Sequence, residues 1–263
     1  MPIVSVIMPC FNSEKFIEAS IQSVLNQTFK DFELIVVDGG SSDNTIKIIK
    51  KLASSDARLS LLENLEDQGP AHARYKGIIK SKGIYVAFLD ADDLWLNNKL
   101  YLQINFMNEN DLSFSYTRYR TINETGSKTG CLIPMYRSYN FTQALGRRGI
   151  GTLTVVLKKS MLTKDIIEHY GKSHGEEYLW WLLILKKGAV AQLLDIDTAR
   201  YRNVGDSLST HRFIHQKTLW NTYRNEINLT FFSSVFFYTT YLLDASLRKI
   251  YVFLCGLTSR ITI

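Results

Sequence analysis

Residues 85–95 read YVAFLDADDLW, an apolar run closed abruptly by Asp90, Asp92 and Asp93. From Tyr85 to Leu89 the apolar residues do not alternate with polar ones, which suits a strand covered on both faces, as in a parallel sheet. The acids then stand at the carboxyl end of a strand, the edge at which open α/β sheets bind ligands. Clustered carboxylates repel one another unless a cation or a donor-rich ligand joins them. A hard divalent ion, held by one or two carboxylates and substrate phosphates, meets that need. Taken alone, D-x-D-D also suits a solvated acidic turn capping the next helix, because Asp is a good N-cap.

Working outward, residues 3–8 (IVSVIM) predict a first strand, with Pro9, Asn12 and Ser13 in the turn beyond it. Helical spacing of Phe16, Ile17, Ile21, Val24 and Leu25 predicts a helix over 14–27, with Ser13 as its N-cap. Residues 32–37 (FELIVV) form a second buried strand ending in Asp38-Gly39-Gly40-Ser41-Ser42-Asp43, followed by a helix over 45–52. Glycines there let a ligand approach the backbone, and a strand-end carboxylate can accept from a base N–H or a ribose hydroxyl. A tight strand-to-helix connection calls for glycine as well. A third strand over 58–63 precedes a helix opened by Gly69 and Pro70 and ended by Gly83. Alternating strands and helices imply right-handed crossovers and a largely parallel sheet, with Asp38 and Asp90 on one edge.

Downstream, 99–108 has a helical pattern, 112–119 (LSFSYTRY) alternates like a half-exposed strand, and 121–150 suggests a loop region with a short helix at 141–145. Residues 152–157 predict a strand and 160–170 a helix. Glu176 and Glu177 then open a strongly apolar helix, where the macrodipole favours carboxylates, so simple capping would explain them too. Closing strands are expected over 190–196 and 198–202, a turn over 203–209, and helix from about 210. The aromatic stretch 229–243 (LTFFSSVFFYTTYLL) is interrupted by Asp244, Arg248 and Lys249 too soon to span a membrane. It suits an interfacial amphipathic segment, or else a helix pair packed on the domain or on a second subunit.

The chain has 263 residues and a net charge of +6, with 46% hydrophobic and 21% charged residues, as in an ordinary globular protein. Its basic excess is local: residues 200–263 carry Arg200, Arg202, Arg212, Lys217, Arg224, Arg248, Lys249 and Arg260 against Asp206, Glu226 and Asp244. That points to an anionic partner such as a diphosphate or a membrane surface, and away from nucleic acid, whose long phosphate track needs more cations. Cys10, Cys131 and Cys255 are scattered, so neither a zinc site nor a disulfide is expected and a reducing compartment is favoured. No leader segment is expected at the N-terminus.

Four stretches in order, SVIMPCFN (5–12), SIQSVLNQTFKDFELIVVDGGSSDNT (20–45), GPAHARYKGIIKSKGIYVAFLDADDLW (69–95) and GEEYLWWLLILKKG (175–188), resemble family 2 of the GT-A glycosyltransferases. The resemblance covers roughly residues 3–205. It implies an α/β GT-A (Rossmann-like) fold, with a mostly parallel central sheet flanked by helices and a C-terminal helical segment. The expected division is a catalytic domain at 1–209, with a nucleotide-sugar half at about 1–98 and an acceptor half at about 99–209, and a C-terminal segment at 210–263. Arg202, Ser207, Ser209, Lys217, Trp220, Tyr223 and Arg224 resemble the tail of bacterial enzymes that extend lipid-linked O-antigen or capsule repeat units.

By that resemblance Pro9, Asp38, Arg74, Asp90 and Arg202 bind the donor, with Asp38 on the uracil or ribose and Asp90 on the ribose side. Asp92 ligates Mn²⁺ or Mg²⁺, and Glu177 is the catalytic base, with Glu176 the second choice. Asp93 is left a structural role. The family commonly has two acids where this chain has Asp38-Gly39, and an Asp where it has Glu177. The implied reaction moves a hexose, glucose or galactose favoured, with inversion from a UDP-sugar to a lipid-diphosphate-linked glycan. The implied location is peripheral, on the cytoplasmic face of the bacterial plasma membrane, with a homodimer through the C-terminal helices as a further option. A carboxylate base for a sugar hydroxyl and a cation for the leaving diphosphate suit such residues independently. The rivals are a non-catalytic sugar-nucleotide-binding subunit and a nucleotidyltransferase, whose Gly-rich triphosphate loop PCFNS does not supply.

Overall fold

The computed structural model describes residues 1–63, 69–147, 149–169, 176–204 and 212–258. In its first half, strands β1 (Val4–Cys10), β2 (Phe32–Asp38), β3 (Leu59–Glu63) and β4 (Tyr85–Phe88) alternate with helices α1 (Ile17–Leu25), α2 (Thr45–Ala53) and α3 (Gly69–Lys80). The short strand β5 (Leu94–Trp95) and helix α4 (Lys99–Glu109) lead to β6 (Phe114–Ile122), β7 (Thr129–Leu132), β8 (Ser138–Tyr139) and α5 (Phe141–Gly146). After β9 (Val156–Lys158) come α6 (Lys164–Ile167), α7 (Glu176–Lys186), β10 (Ala191–Arg202), α8 (Arg212–Asn221), a π-helical turn (Thr222–Glu226) and α9 (Phe231–Thr258).

The sheet order is β3-β2-β1-β4-β9-β6-β10-β5. The expected parallel pairing holds across β3, β2, β1 and β4 and between β6 and β10, while β9, β5, β7 and β8 pair antiparallel with their neighbours. Register sets where the strand ends fall. Cys10 lies opposite Asp38, whereas β4 reaches only Ile7↔Phe88, so β1 runs on past β4 and leaves a notch at the carboxyl edge. Pro9 therefore belongs to β1 and not to the turn after it. It is tolerated because the ladder to β4 has already ended and no N–H is needed on that side.

Period-two alternation divides β4 between the two faces. Val86 and Phe88 join one core with Trp180 and Trp181 of α7, while Tyr85, Ala87 and Leu89 join the other with residues of α1 and α4. Both faces are covered, hence the unalternated run. Gly83 has a reason other than ending a helix: a Cβ there would lie 2.6 Å from the backbone nitrogen of Ser5.

Several expectations are corrected. Ser13 does not cap α1; its hydroxyl donates to the Phe11 carbonyl and the helix starts at Ile17. The half-exposed strand at 112–119 is buried from Phe114 to Thr117, because β6 lies between β9 and β10 and spends its polar side chains inside. Gln103 donates to the Ser115 hydroxyl at 2.9 Å, and the Thr117 and Thr198 hydroxyls share a 2.7 Å bond. The loop at 121–150 contains β7 and β8, and the strand at 152–157 is a 3₁₀ turn followed by the short β9. The helix expected over 160–170 is reduced to a 3₁₀ turn and the four-residue α6. The two closing strands are one, β10, with a register irregularity between Leu194 and Asp197 where Asp195 and Asp197 pair with Arg118 and Arg120 of β6. Cys131 on β7 and Cys255 on α9 form a disulfide across 124 residues of sequence, with 6.1 Å between their Cα atoms. Spacing alone could not show that β7 and the end of α9 pack together.

Candidate active site

The carboxyl edge of β1, β2 and β4 gathers most of the acids singled out above. Phe88 is the last residue of β4, and its ring lies 6.0 Å from that of Trp181 and 6.5 Å from that of Trp180. Helix α7 is apolar around most of its circumference and is buried accordingly from Leu179 to Leu182. Packing its tryptophans on Phe88 carries its N-terminal turn, with Glu177, toward the residues just after β4. There Arg74 of α3, itself only 4% exposed, donates through Nη2 to Asp90 Oδ1 and through Nη1 to Glu177 Oε1, each at 2.5 Å. One guanidinium thus ties the strand-end acid to the acid at the helix start. The side chain of Glu176 lies outside the described residues.

Asp38 ends β2 and is buried. Its Oδ2 accepts from the backbone of Gly40 and Ser41 at 2.9 Å each, and its Oδ1 from the Ser41 hydroxyl at 2.5 Å. The carboxylate therefore shapes the loop that follows it. Asn12, at a positive φ of 44°, links the first two strand-end loops: its N–H donates to the Ser41 hydroxyl at 2.8 Å and its Oδ1 accepts from Ser42 N–H at 2.9 Å. Sequence inspection placed Asn12 in a turn and missed this link, though an Asn tolerant of left-handed backbone was the available signal.

Across the DADD turn the acids differ. Asp93 is buried and accepts from the backbone N–H of Arg202 at 2.8 Å. Burial, then the charges of Asp92 and Asp90, push its carboxyl well above the usual range. Asp92 is half-buried, and burial together with the Asp90 charge pushes its carboxyl up to about 6. Asp92 and the nearby Asp90 are of a chemistry that could hold one hard cation. Among the described residues no three acidic, His or Cys side chains converge, so remaining ligands would come from substrate phosphates.

Arg202 lies beside this turn rather than at an open rim. Its Nε donates to the Asp92 carbonyl and its Nη1 to the Glu124 carbonyl, both at 2.6 Å, and its guanidinium stacks 4.8 Å from the Phe16 ring. Behind α7, the Tyr178 hydroxyl donates to the Ala144 carbonyl at 3.0 Å and meets the Tyr223 hydroxyl at 3.2 Å, while Tyr223 also donates to Leu145 O. This tyrosine clamp, between the π-helical turn and the residue after Glu177, was not foreseen in its geometry. Of the other tail residues, Trp220 packs edge-on against Phe231 and Tyr238, Arg224 donates to the Leu229 carbonyl and Lys217 is exposed. Ser207 and Ser209 lie outside the described residues.

Residues 5–171 match the glycosyl transferase family 2 model. The chain belongs to that family. Among relatives of this family 2 glycosyltransferase, the E. coli UDP-Glc:α-D-GlcNAc-diphosphoundecaprenol β-1,3-glucosyltransferase WfgD is 39% identical over 83% of this chain and 84% of its own length. The Bacillus subtilis putative teichuronic acid biosynthesis glycosyltransferase TuaG is 32% identical over 95% of this chain and 98% of its own. Solved structures share the fold at low identity. S. aureus TarS 1-349 in complex with UDP-GlcNAc has a TM-score of 0.69 at 18% identity, over 85% of this chain and 65% of that one. The Pyrobaculum calidifontis mannosyltransferase PcManGT in complex with GDP-Man and Mn²⁺ has a TM-score of 0.66 at 18% identity, over 87% of this chain and 65% of that one. The GT-A architecture expected from the resemblance is therefore present, and the chain is a glycosyltransferase.

Proposed function

We propose that this enzyme transfers glucose, with inversion, from UDP-glucose to a hydroxyl of a lipid-diphosphate-linked glycan at the cytoplasmic face of a bacterial plasma membrane. The observation that carries the reading is the Asp90–Arg74–Glu177 array, which brings a strand-end acid and a candidate base into one notch. The donor and acceptor classes are supported by WfgD and by a second E. coli UDP-Glc:α-D-GlcNAc-diphosphoundecaprenol β-1,3-glucosyltransferase, WfaP, 33% identical over 81% of this chain.

In this reading Glu177 takes the proton of the acceptor hydroxyl as its oxygen bonds to the anomeric carbon. The bond from that carbon to the β-phosphate oxygen breaks, and UDP leaves with the negative charge. Arg74 orients Glu177 against Asp90, whose partly exposed carboxylate faces the nucleoside. Asp38 and Asn12 hold the first two loops as the wall of the nucleotide site, with Pro9 at its floor, and Arg202 keeps the DADD turn in place and lends positive charge beside it. Asp92, with Asp90 next to it, fits a single Mn²⁺ or Mg²⁺, which when bound supplies neutralisation of the leaving diphosphate.

The test is a donor screen with the purified protein, Mn²⁺ and a GlcNAc-diphosphate-lipid acceptor, read by nucleotide release. UDP release is expected with UDP-glucose and only weakly with UDP-galactose. Absence of transfer from every nucleotide sugar to every acceptor overturns the proposal.

A further inference from the structure

Helix α9 is apolar on two faces: Phe237, Tyr238 and Tyr241 pack against the core from its inner side. Two of its three charged side chains, Asp244 and Arg248, also turn inward: the Tyr136 hydroxyl donates to Asp244 Oδ1 at 2.6 Å, Arg248 Nε donates to Asp244 Oδ2 at 2.9 Å, and Arg248 Nη1 donates to the Pro134 carbonyl at 2.6 Å. A second set of apolar side chains faces out. Phe232, Phe236, Leu243, Leu247, Phe253 and Leu254 are each more than half exposed, Phe232 at 84%. Phe232, Phe236, Leu243, Leu247 and Leu254 recur at spacings of four and seven with Phe253 beside the last, so they form one stripe along a helix of 28 residues, about 42 Å long at 1.5 Å per residue. Apolar stripes of that length are not left to water without a partner.

Charge selects the partner. Asp244 is the single acidic residue of α9 and is buried, so this helix offers no carboxylate outward. Lys249 is exposed on it, and Arg147 lines the groove between α5 and α9 together with Phe236, Phe237 and Thr240. An apolar stripe edged by cations complements an anionic lipid surface. A second copy would bring the same apolar, cationic face, with no carboxylate on α9 to answer it. Among the described residues no helix is long and apolar enough to cross a membrane, so α9 would lie in the plane of the surface.

We propose that the outward face of α9 is a lipid-docking face that seats the enzyme on an anionic bilayer. The inner side of the same helix explains the use of such seating. The Tyr241 ring lies 5.8 Å from that of Tyr178, the residue after Glu177. A base one residue away from the docked helix stands where an acceptor anchored in the same leaflet can reach it. This purpose rests on the lipid-linked acceptor proposed above; the docking chemistry does not.

The experiment is co-sedimentation of the full chain with phosphatidylcholine vesicles with and without phosphatidylglycerol. Binding is expected to the anionic vesicles and to weaken with salt. A Phe232→Ser/Phe236→Ser/Leu247→Ser variant should bind about tenfold less tightly or worse, with unchanged transfer to a water-soluble short-chain acceptor. Lys249→Glu, which leaves the apolar stripe intact, should weaken binding to anionic vesicles alone and serves if the triple variant fails to fold. Failure of the native chain to bind, or equal binding by the variants, overturns the docking face. So does a native dimer without vesicle affinity that the triple substitution dissociates. Vesicle binding without transfer from any donor supports the docking face and overturns the proposed reaction instead.

Discussion

At the scale of single residues, the division of labour among the carboxylates follows from where each one's oxygens are spent. Asp93 is committed to the Arg202 backbone and Asp38 to its own loop, whereas Asp90 and Glu177 converge on one guanidinium. If Glu177 removes the acceptor proton, Glu177→Gln should lower transfer by about a thousandfold, within the range typical of a lost general base. UDP affinity, measured by calorimetry, should stay within a few-fold; a variant that keeps turnover reassigns the base. Lys99 offers a test unconnected with catalysis. It is fully buried, donates to Gln103 Oε1 at 2.6 Å and sits 4.4 Å over the Trp95 ring. Burial pulls its ammonium down to about 7. The folded chain therefore takes up this proton only below about pH 7, while the unfolded chain holds it up to about pH 10. Between those values the unfolded state binds more protons, so this group makes stability rise with pH, and its cost is fully present at pH 7 and below. In thermal or urea unfolding, Lys99→Met should gain on the native chain by about 1.4 kcal/mol for each unit that pH falls from 10 to 7. A pH-independent difference would contradict the burial of the charge.

At the scale of elements, α7 is held from two sides: its tryptophans lie on Phe88, and Tyr178 meets Tyr223 and the carbonyl end of α5. Tyr223→Phe removes the donor to Leu145 without opening a cavity. It should cost about 1 kcal/mol in stability and lower kcat more than the KM for donor, measured by steady-state UDP release, because only the start of α7 is loosened. Phe32–Asp38 and Tyr85–Phe88 were legible from their composition, since strands buried on both faces need unbroken apolar runs. β8 was not, because its pairing is decided by β10, far along the chain, and neither β7, a short and largely exposed partner of the preceding β6, nor the 3₁₀ turn at Thr152–Thr154 carries an apolar period of its own. The disulfide between β7 and α9 has a direct readout. Without reductant, denatured protein should show one reactive thiol, Cys10, and with reductant three. Three thiols without reductant would leave Cys131 and Cys255 merely neighbours.

At the scale of the whole molecule, Asp90, Glu177 and helix α9 lie in series, joined through Arg74 and, by the residue next to Glu177, Tyr178. A donor set of one or two carboxylates, completed by diphosphate, implies that chelation should abolish transfer, and that Mn²⁺ or Mg²⁺ should restore it; transfer that persists after exhaustive chelation would exclude the metal. The sequence by itself determined the α/β alternation, the strand-end position of Asp38 and Asp90, the acids at the start of α7 and the basic, aromatic tail. Each of these is a local matter of period, run length and composition. Only the tertiary structure decided that Arg74 joins Asp90 to Glu177, that Arg202 braces the DADD turn, that Cys131 meets Cys255 and that α9 turns Asp244 and Arg248 inward. Those outcomes depend on which surfaces of distant elements pack together, and chain spacing carries no record of a contact made across a crossover.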